Sequence, residues 1–333
     1  MIDHRPTTTL THDLDAIPLL RTDTSMRGKG LSLKDASGLP QGILDKFSSG
    51  AQGCIRKLQA HRAVTNIDCG HLQTAAVLVA LYETAEKGGL RVLLTTRATT
   101  LRSHPGQTAL PGGKVDKTDV DADYAARREA YEEVGLPLGY HPDLHKVTEL
   151  EPFLSKYKLV VFPVVYLISN PALLESLVPS PDEVGAIFDI PLEYCLTAVW
   201  PGDQSLLSKK GSDDWPYEDE YYARTDVSWM IDGEYEYRMN RLRTSKTPLK
   251  GLTSDVLISV AEIAFETPST IPRFAPKQLP FKEAIQMAVE ESKRGLVGGK
   301  PDSLTRELSK TPEPVSTVKG GSAQVPEGPV PAL

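Results

Sequence analysis

Two apolar runs dominate the first half of the chain, TAAVLVALYET at residues 74–84 and LRVLLTTR at 90–97, with Lys87, Gly88 and Gly89 between them. Strand-length runs on either side of a glycine turn predict a β-hairpin. The run KLVVFPVVYLI at 158–168 predicts another strand, and SWMIDGEYEYRM at 228–239 places Asp232 and Gly233 between two alternating runs, a second hairpin signal. Apolar spacing and composition predict helices over residues 43–61, 123–134, 254–265 and 281–294. This mixture predicts one α/β (α+β) domain over residues 70–265, with a helical segment, 41–69, packed on it. Residues 1–40 lack periodicity and predict a poorly ordered lead-in. The Pro-rich stretch 266–333 predicts an extension of one helix and a disordered tail, and the polar stretch 202–226 an acidic inserted loop.

Composition narrows this picture. A length of 333 residues suggests two domains, but the tail has no core-forming pattern, so one is expected. With 40% hydrophobic and 24% charged residues the chain can bury a core. Its 37 basic and 44 acidic residues give a net charge of −7, and no basic run offers a footprint for nucleic acid. The surplus is local: residues 114–133 hold seven acids against four bases, and 211–226 six against one. Cys54, Cys69 and Cys195 form no C-x-x-C pair, so neither a disulfide framework nor a zinc cluster is expected, and a reducing compartment is. No apolar run approaches a membrane-spanning length and the first residues lack a secretory pattern, so an intracellular protein is expected.

The chemistry concentrates in residues 110–136, LPGGKVDKTDVDADYAARREAYEEVGL. On a helix, Glu129, Glu132 and Glu133 fall at offsets of zero, three and four, on one face. Like charges so crowded destabilise a helix unless a cation sits among them. Carboxylates without Cys or His suit Mg²⁺ or Mn²⁺, which proteins commonly share with substrate phosphates, so a phosphate ester or anhydride is the expected small-molecule substrate. Gly135 suits the left-handed position past a helix end, and Pro111, Gly112 and Gly113 a tight loop that lets backbone approach a ligand. Asp116 and Asp119 add acids ahead of the helix, and Arg128 can pair with Glu132 one turn on.

These residues resemble the Nudix box, G-x5-E-x7-R-E-U-x-E-E-x-G-U, with Gly113, Arg128, Glu129, Ala130, Glu132, Glu133, Gly135 and Leu136 in matching positions. Asp119 stands where the box has its first Glu, and eight residues rather than seven separate it from Arg128. Upstream, LLTTRATTLRSHPGQTALPGG at 93–113 is similar to the pattern of the coenzyme A diphosphatase branch, with Leu110 in place of its Phe. PSPDEVGAIFDIPLEYCL at 179–196 and LKGLTSDVL at 249–257 resemble the same branch. The resemblance implies an α/β/α sandwich around a mixed sheet, and a Mg²⁺- or Mn²⁺-dependent hydrolase cleaving coenzyme A or its derivatives to 3′,5′-ADP and 4′-phosphopantetheine. It implies Glu129, Glu132, Glu133 and Arg128 as catalytic residues and Glu129, Glu132, Glu133 and Asp119 as metal ligands. Arg97, Arg102, Gly106, Gly112 and Gly113 are expected to meet the substrate; His104 is weighed as a phosphate contact against an ordinary packed or solvated histidine. Glu183 is either an extra general base or a helix-start acid, and Trp215, Tyr217, Tyr221 and Tyr222 either shape the substrate mouth or decorate a surface loop. Hydrolysis of oxidised nucleoside triphosphates such as 8-oxo-dGTP, or ligand sensing without catalysis, are the alternatives. The branch is often peroxisomal, but Pro331-Ala332-Leu333 lacks the basic residue of a Ser-Lys-Leu signal. Oligomeric state is left open.

Overall fold

The computed structural model describes residues 39–295; the lead-in at 1–38 and the tail at 296–333 lie outside them. Two helices open the fold, α1 (Gln41–Leu44) and α2 (Ser49–Ala60), followed by β1 (Thr74–Tyr82), β2 (Arg91–Arg97), β3 (Thr108–Ala109) and β4 (Gly112–Lys114). After α3 (Ala122–Val134) come β5 (Leu144–Glu149), β6 (Phe153–Leu154), β7 (Val160–Ile168), α4 (Ala172–Glu175) and β8 (Val184–Pro191). The last third contributes β9 (Tyr222–Ser228), β10 (Glu236–Leu242), β11 (Leu249–Lys250), α5 (Leu252–Phe265) and α6 (Phe281–Lys293).

A mixed sheet runs β3-β2-β1-β7-β5, with β4 added to β1, β6 to β7 and β8 to β2. β1 and β7 are parallel from Thr74↔Val160 to Leu81↔Leu167, and both are nearly continuous apolar runs because both of their faces are covered. Alternation sorts the side chains. Leu78, Ala80, Val164 and Tyr166 face α3, while Val79, Leu81, Val165 and Leu167 face α2 and α5. That is the expected α/β/α sandwich. α3 meets the sheet through Ala125, Ala126 and Ala130, whose small side chains let the helix backbone lie close to β1. The smaller sheet β11-β10-β9 shares its core with α6, Trp229 and Tyr237 packing with Ile285, Ala288 and Val289.

Several expectations are revised. The predicted hairpin forms, but β1 and β2 pair only beside the turn, at Leu81↔Val92 and Tyr82↔Arg91, because β4 takes the other half of that edge of β1. The helix expected over 43–61 is broken at 45–48, where Ser48 caps α2 through Ala51 N and gives its own N–H and hydroxyl to Glu83. The second hairpin is wider than predicted: β9 begins inside the expected acidic loop and β10 runs on to Leu242, with Asp232 and Gly233 in the connection as expected. The loop also holds a wholly buried Trp215, whose indole N–H donates to Asp219 O at 2.7 Å. Among the described residues the cysteines are free, and no helix is long and apolar enough to cross a membrane.

Candidate active site

The Pro-Gly-Gly turn leads β4 across the edge of β1, pairing Ala75–Val77 with Gly112–Lys114 in antiparallel sense. Gly112 has φ +153°, and a Cβ there would stand 2.4 Å from Ala76 O. A Cβ on Gly113 would stand 2.4 Å from the carboxyl carbon of Glu129. Glycine at 113 is therefore what lets β4 and α3 come together, and the space a side chain would fill is taken by a carboxylate.

Capping fixes α3 at both ends. Asp121 accepts from Tyr124 N at 2.7 Å, and Gly135 terminates the helix at φ +77°, as its position predicts. Arg127 lies over the Tyr166 ring and donates to the carbonyls of Pro137, Leu138 and Gly139, tying the segment that follows to the helix. The helix then presents Glu129 and Glu133 to the glycine turn. Glu133, 6% exposed, accepts from Gly112 N at 3.2 Å. Burial pushes its carboxyl up to about 7, against the pull of Gly112 N–H and Arg97, and the charges of Glu129 and Glu183 add to the rise. Burial raises Glu129 as well, with Arg128 opposing and Glu132 and Glu183 adding.

Arg128 organises the remaining acids. It donates Nε and Nη2 to the two oxygens of Asp119, both at 2.9 Å, and Nη1 to Glu129 and Glu132, both at 3.0 Å. Its Nη2 also reaches Lys114 O at 3.1 Å. The expected pairing with Glu132 is present, and Arg128 acts as a positioning residue whose donors are spent on the protein. Two of the expected metal ligands are engaged by this clamp. The side chain of Asp119 is covered, with both oxygens on Arg128, and one of them also accepts from Asp116 N. Glu132 is half-exposed and turned to Arg128. Among the described residues no three acidic, His or Cys side chains are arranged to hold a metal. Glu129 and Glu133 nonetheless fit a divalent cation. They are hard donors packed against one glycine turn; burial opposes the ionisation of both and the charge of Glu183 adds at each, a penalty a cation reverses.

Glu183 comes to the same place from another element. It does not start a helix; it ends the turn before β8, with its N–H on Ser180 O. The turn is docked on the last residues of α3, Val178 N on Val134 O and Ser180 N on Glu133 O, and Ala98 N closes on Glu183 O at 2.8 Å. Arg97, at the end of β2, belongs to the site as well, since its charge acts on Glu133. A loop returns from it: Gly106, at φ +68°, donates its N–H to Arg97 O, and Arg97 Nε reaches Ser103 O at 3.4 Å. Arg102 and His104 are exposed on that loop.

A cleft of about 380 Å³ opens beside Arg97, lined also by Thr99, Pro181, Gly185, Asp214 and Lys246. Asp214 comes from the acidic insert and Lys246 from the turn between β10 and β11, while Trp215, Tyr217, Tyr221 and Tyr222 of the insert do not line this cleft. Spacing along the chain carries no signal for either residue. A second cavity, about 800 Å³, is lined by Cys54, Lys87, Trp200 and Leu206 and includes none of the expected site residues.

Comparison with known proteins agrees with this architecture. Residues 72–206 match the NUDIX domain family. The chain is 36% identical over 212 residues to "Nudix hydrolase 15, mitochondrial" of Arabidopsis thaliana, covering 61% of this chain and 62% of that protein. It is 31% identical over 199 residues to "Peroxisomal coenzyme A diphosphatase NUDT7" of Mus musculus, covering 59% of this chain and 78% of the mouse protein. Among solved structures it is similar to the M. Smegmatis Nudix hydrolase RenU, at 21% identity and a TM-score of 0.30 over 36% of this chain and 71% of that one. The chain belongs to the Nudix hydrolase family. It spans about three fifths of the length of the plant relative.

Proposed function

We propose that this protein hydrolyses the pyrophosphate bond of coenzyme A or an acyl derivative. The observation that carries the reading is the convergence of Glu129 and Glu133 on the glycine turn, where a Cβ on Gly113 would meet the Glu129 carboxyl and Gly112 N–H meets Glu133, with Glu183 acting on both carboxylates and Arg97 on Glu133. The likeness over 78% of the mouse coenzyme A diphosphatase supports the choice of substrate. Glu129 and Glu133 would hold Mg²⁺ or Mn²⁺. Such an ion supplies a polarised phosphoryl oxygen and a bound water of lowered pKa. Arg97 offsets the charge of the pyrophosphate, which three carboxylates would otherwise repel. Glu183, on its anchored turn, accepts the proton of the attacking water on a carboxylate oxygen as that water's oxygen bonds to one phosphorus and the bond from that phosphorus to the bridging oxygen breaks, the bridging oxygen leaving with its electron pair on the other phosphate. Arg128 and Asp119 keep Glu129 in place. Incubating the full chain with coenzyme A and Mg²⁺ or Mn²⁺, with Glu133→Gln as control, tests the reading. It predicts 3′,5′-ADP and 4′-phosphopantetheine from the wild type. No release above the control, or a thousandfold preference for 8-oxo-dGTP, refutes it.

A further inference from the structure

The turn between β10 and β11 lies outside the family-matched stretch, yet it forms one wall of the cleft at Arg97. It is tightly built. Thr244 Oγ1 donates to Thr247 O at 2.9 Å and accepts from Lys246 N at 3.0 Å. Thr108 on β3 donates its hydroxyl to Thr247 O at 2.6 Å, bonding the turn to the catalytic sheet. Just before it, buried Arg243 donates Nε to Ser208 O at 2.7 Å and Nη1 to Glu220 O at 2.9 Å, so the acidic insert hangs on the same strand.

This frame fixes the backbone of Lys246 on the rim, where its side chain is exposed and makes no ion pair with a carboxylate among the described residues. Asp214, on the insert, lines the same cleft without closing on it. Below them the hydroxyl of Thr96 is buried with no hydrogen-bond partner among the described residues. The cleft therefore offers an exposed cation on a bonded turn beside Arg97. Arg97 is already committed to the glutamate end, where its charge acts on Glu133. A second anionic group on the substrate, placed in the cleft, meets the charge of Asp214 there and needs a cation of its own.

We propose that Lys246 binds the phosphate monoester that coenzyme A carries on its ribose, remote from the bond that is broken, and so sets selectivity for that ester. The inference rests on the coenzyme A reading of the site. Dephospho-coenzyme A, identical except for that phosphate, is the probe. Steady-state hydrolysis of both compounds is measured with wild type, Lys246→Ala and Lys246→Arg. Wild type is expected to prefer coenzyme A, and Lys246→Ala to lower the ratio of the two kcat/KM values on the order of tenfold, mainly through KM. Lys246→Arg restores most of the ratio, and raised salt shrinks it in the wild type. A ratio unchanged in Lys246→Ala, or an equal loss on both compounds, overturns the assignment of Lys246 while leaving the diphosphatase reading intact. Cleavage of neither compound by the wild type overturns both. Thermal unfolding of each variant confirms that the exposed substitution leaves the fold in place.

Discussion

Replacing Arg128 by Met is the sharpest probe of the acidic helix, because one guanidinium makes five contacts there. The heaviest loss falls on Asp119, whose side chain has no solvent exposure and whose carboxyl is held below the ordinary range first of all by its hydrogen bonds to Arg128. Without them Asp119 keeps only Asp116 N–H at 2.7 Å. Stranding one member of a buried pair costs about 3–5 kcal/mol, and the 15% exposure of Arg128 argues for the lower end. At roughly 2–4 °C per kcal/mol for a domain of this size, about 3 kcal/mol lowers Tm by roughly 6–12 °C. Glu129 and Glu132 also lose their orienting donor, and loss of such a partner costs on the order of 10–100-fold in metal affinity or activity. The double variant Asp119→Asn/Arg128→Met removes the stranded charge. It should recover at least half of the lost Tm and none of the activity. Circular dichroism melts and coenzyme A hydrolysis measure the two separately. A single variant within about 2 °C and threefold of wild type, or a double variant that recovers both properties, refutes the clamp.

Two further outcomes follow from the same geometry. Gly113→Ala puts a methyl group 2.4 Å from the Glu129 carboxyl carbon, so kcat/KM should fall on the order of a hundredfold while Tm falls by less than about 5 °C; activity within threefold of wild type would show that the carboxylate moves freely. Asp189 supplies a pH test. Burial alone would raise its carboxyl, but the Arg91 fork at 2.8 Å on each oxygen, the Tyr82 hydroxyl and Lys87 outweigh burial and hold it well below the ordinary range. A depressed native pKa means stability present above the unfolded value of about 3.9 and lost as pH falls towards the native one. The Tm gap between wild type and Asp189→Asn should therefore be widest above about pH 5 and close steadily below pH 4; a gap independent of pH contradicts the pairing.

How far the sequence could be read depended on whether each element carries its own signal. α3 was legible to within a residue because its cap, its glutamates and Gly135 are all local. β1, β2 and β7 were legible as apolar runs, since both faces of those strands are covered. β8 was not, because most of its side chains are only partly buried and Asp182 and Glu183 imitate a helix start. β9, with only Ala223 buried, reads as polar loop until β10 supplies its partner. The break before α2 depends on Glu83, just past the end of β1 and far along the chain. In the site, composition fixed which residues were acids but not which were free. Asp119 and Glu132 look like ligands in the sequence and turn out to be held by Arg128, a distinction only side-chain geometry makes. Asp214 and Lys246 reach the cleft by tertiary packing alone.

The turn that carries Glu183 is fastened by backbone, with the N–H groups of Val178 and Ser180 on the end of α3 and Ala98 N–H on the turn itself. Spacing between the arginine loop, the carboxylate helix and Glu183 is thus written in peptide groups, which almost every amino acid supplies equally. Sequence drift can repaint the surface of this turn without moving the chemistry beneath it. Proline is the substitution such drift must avoid at 98, 178 and 180, since it alone withdraws the donor.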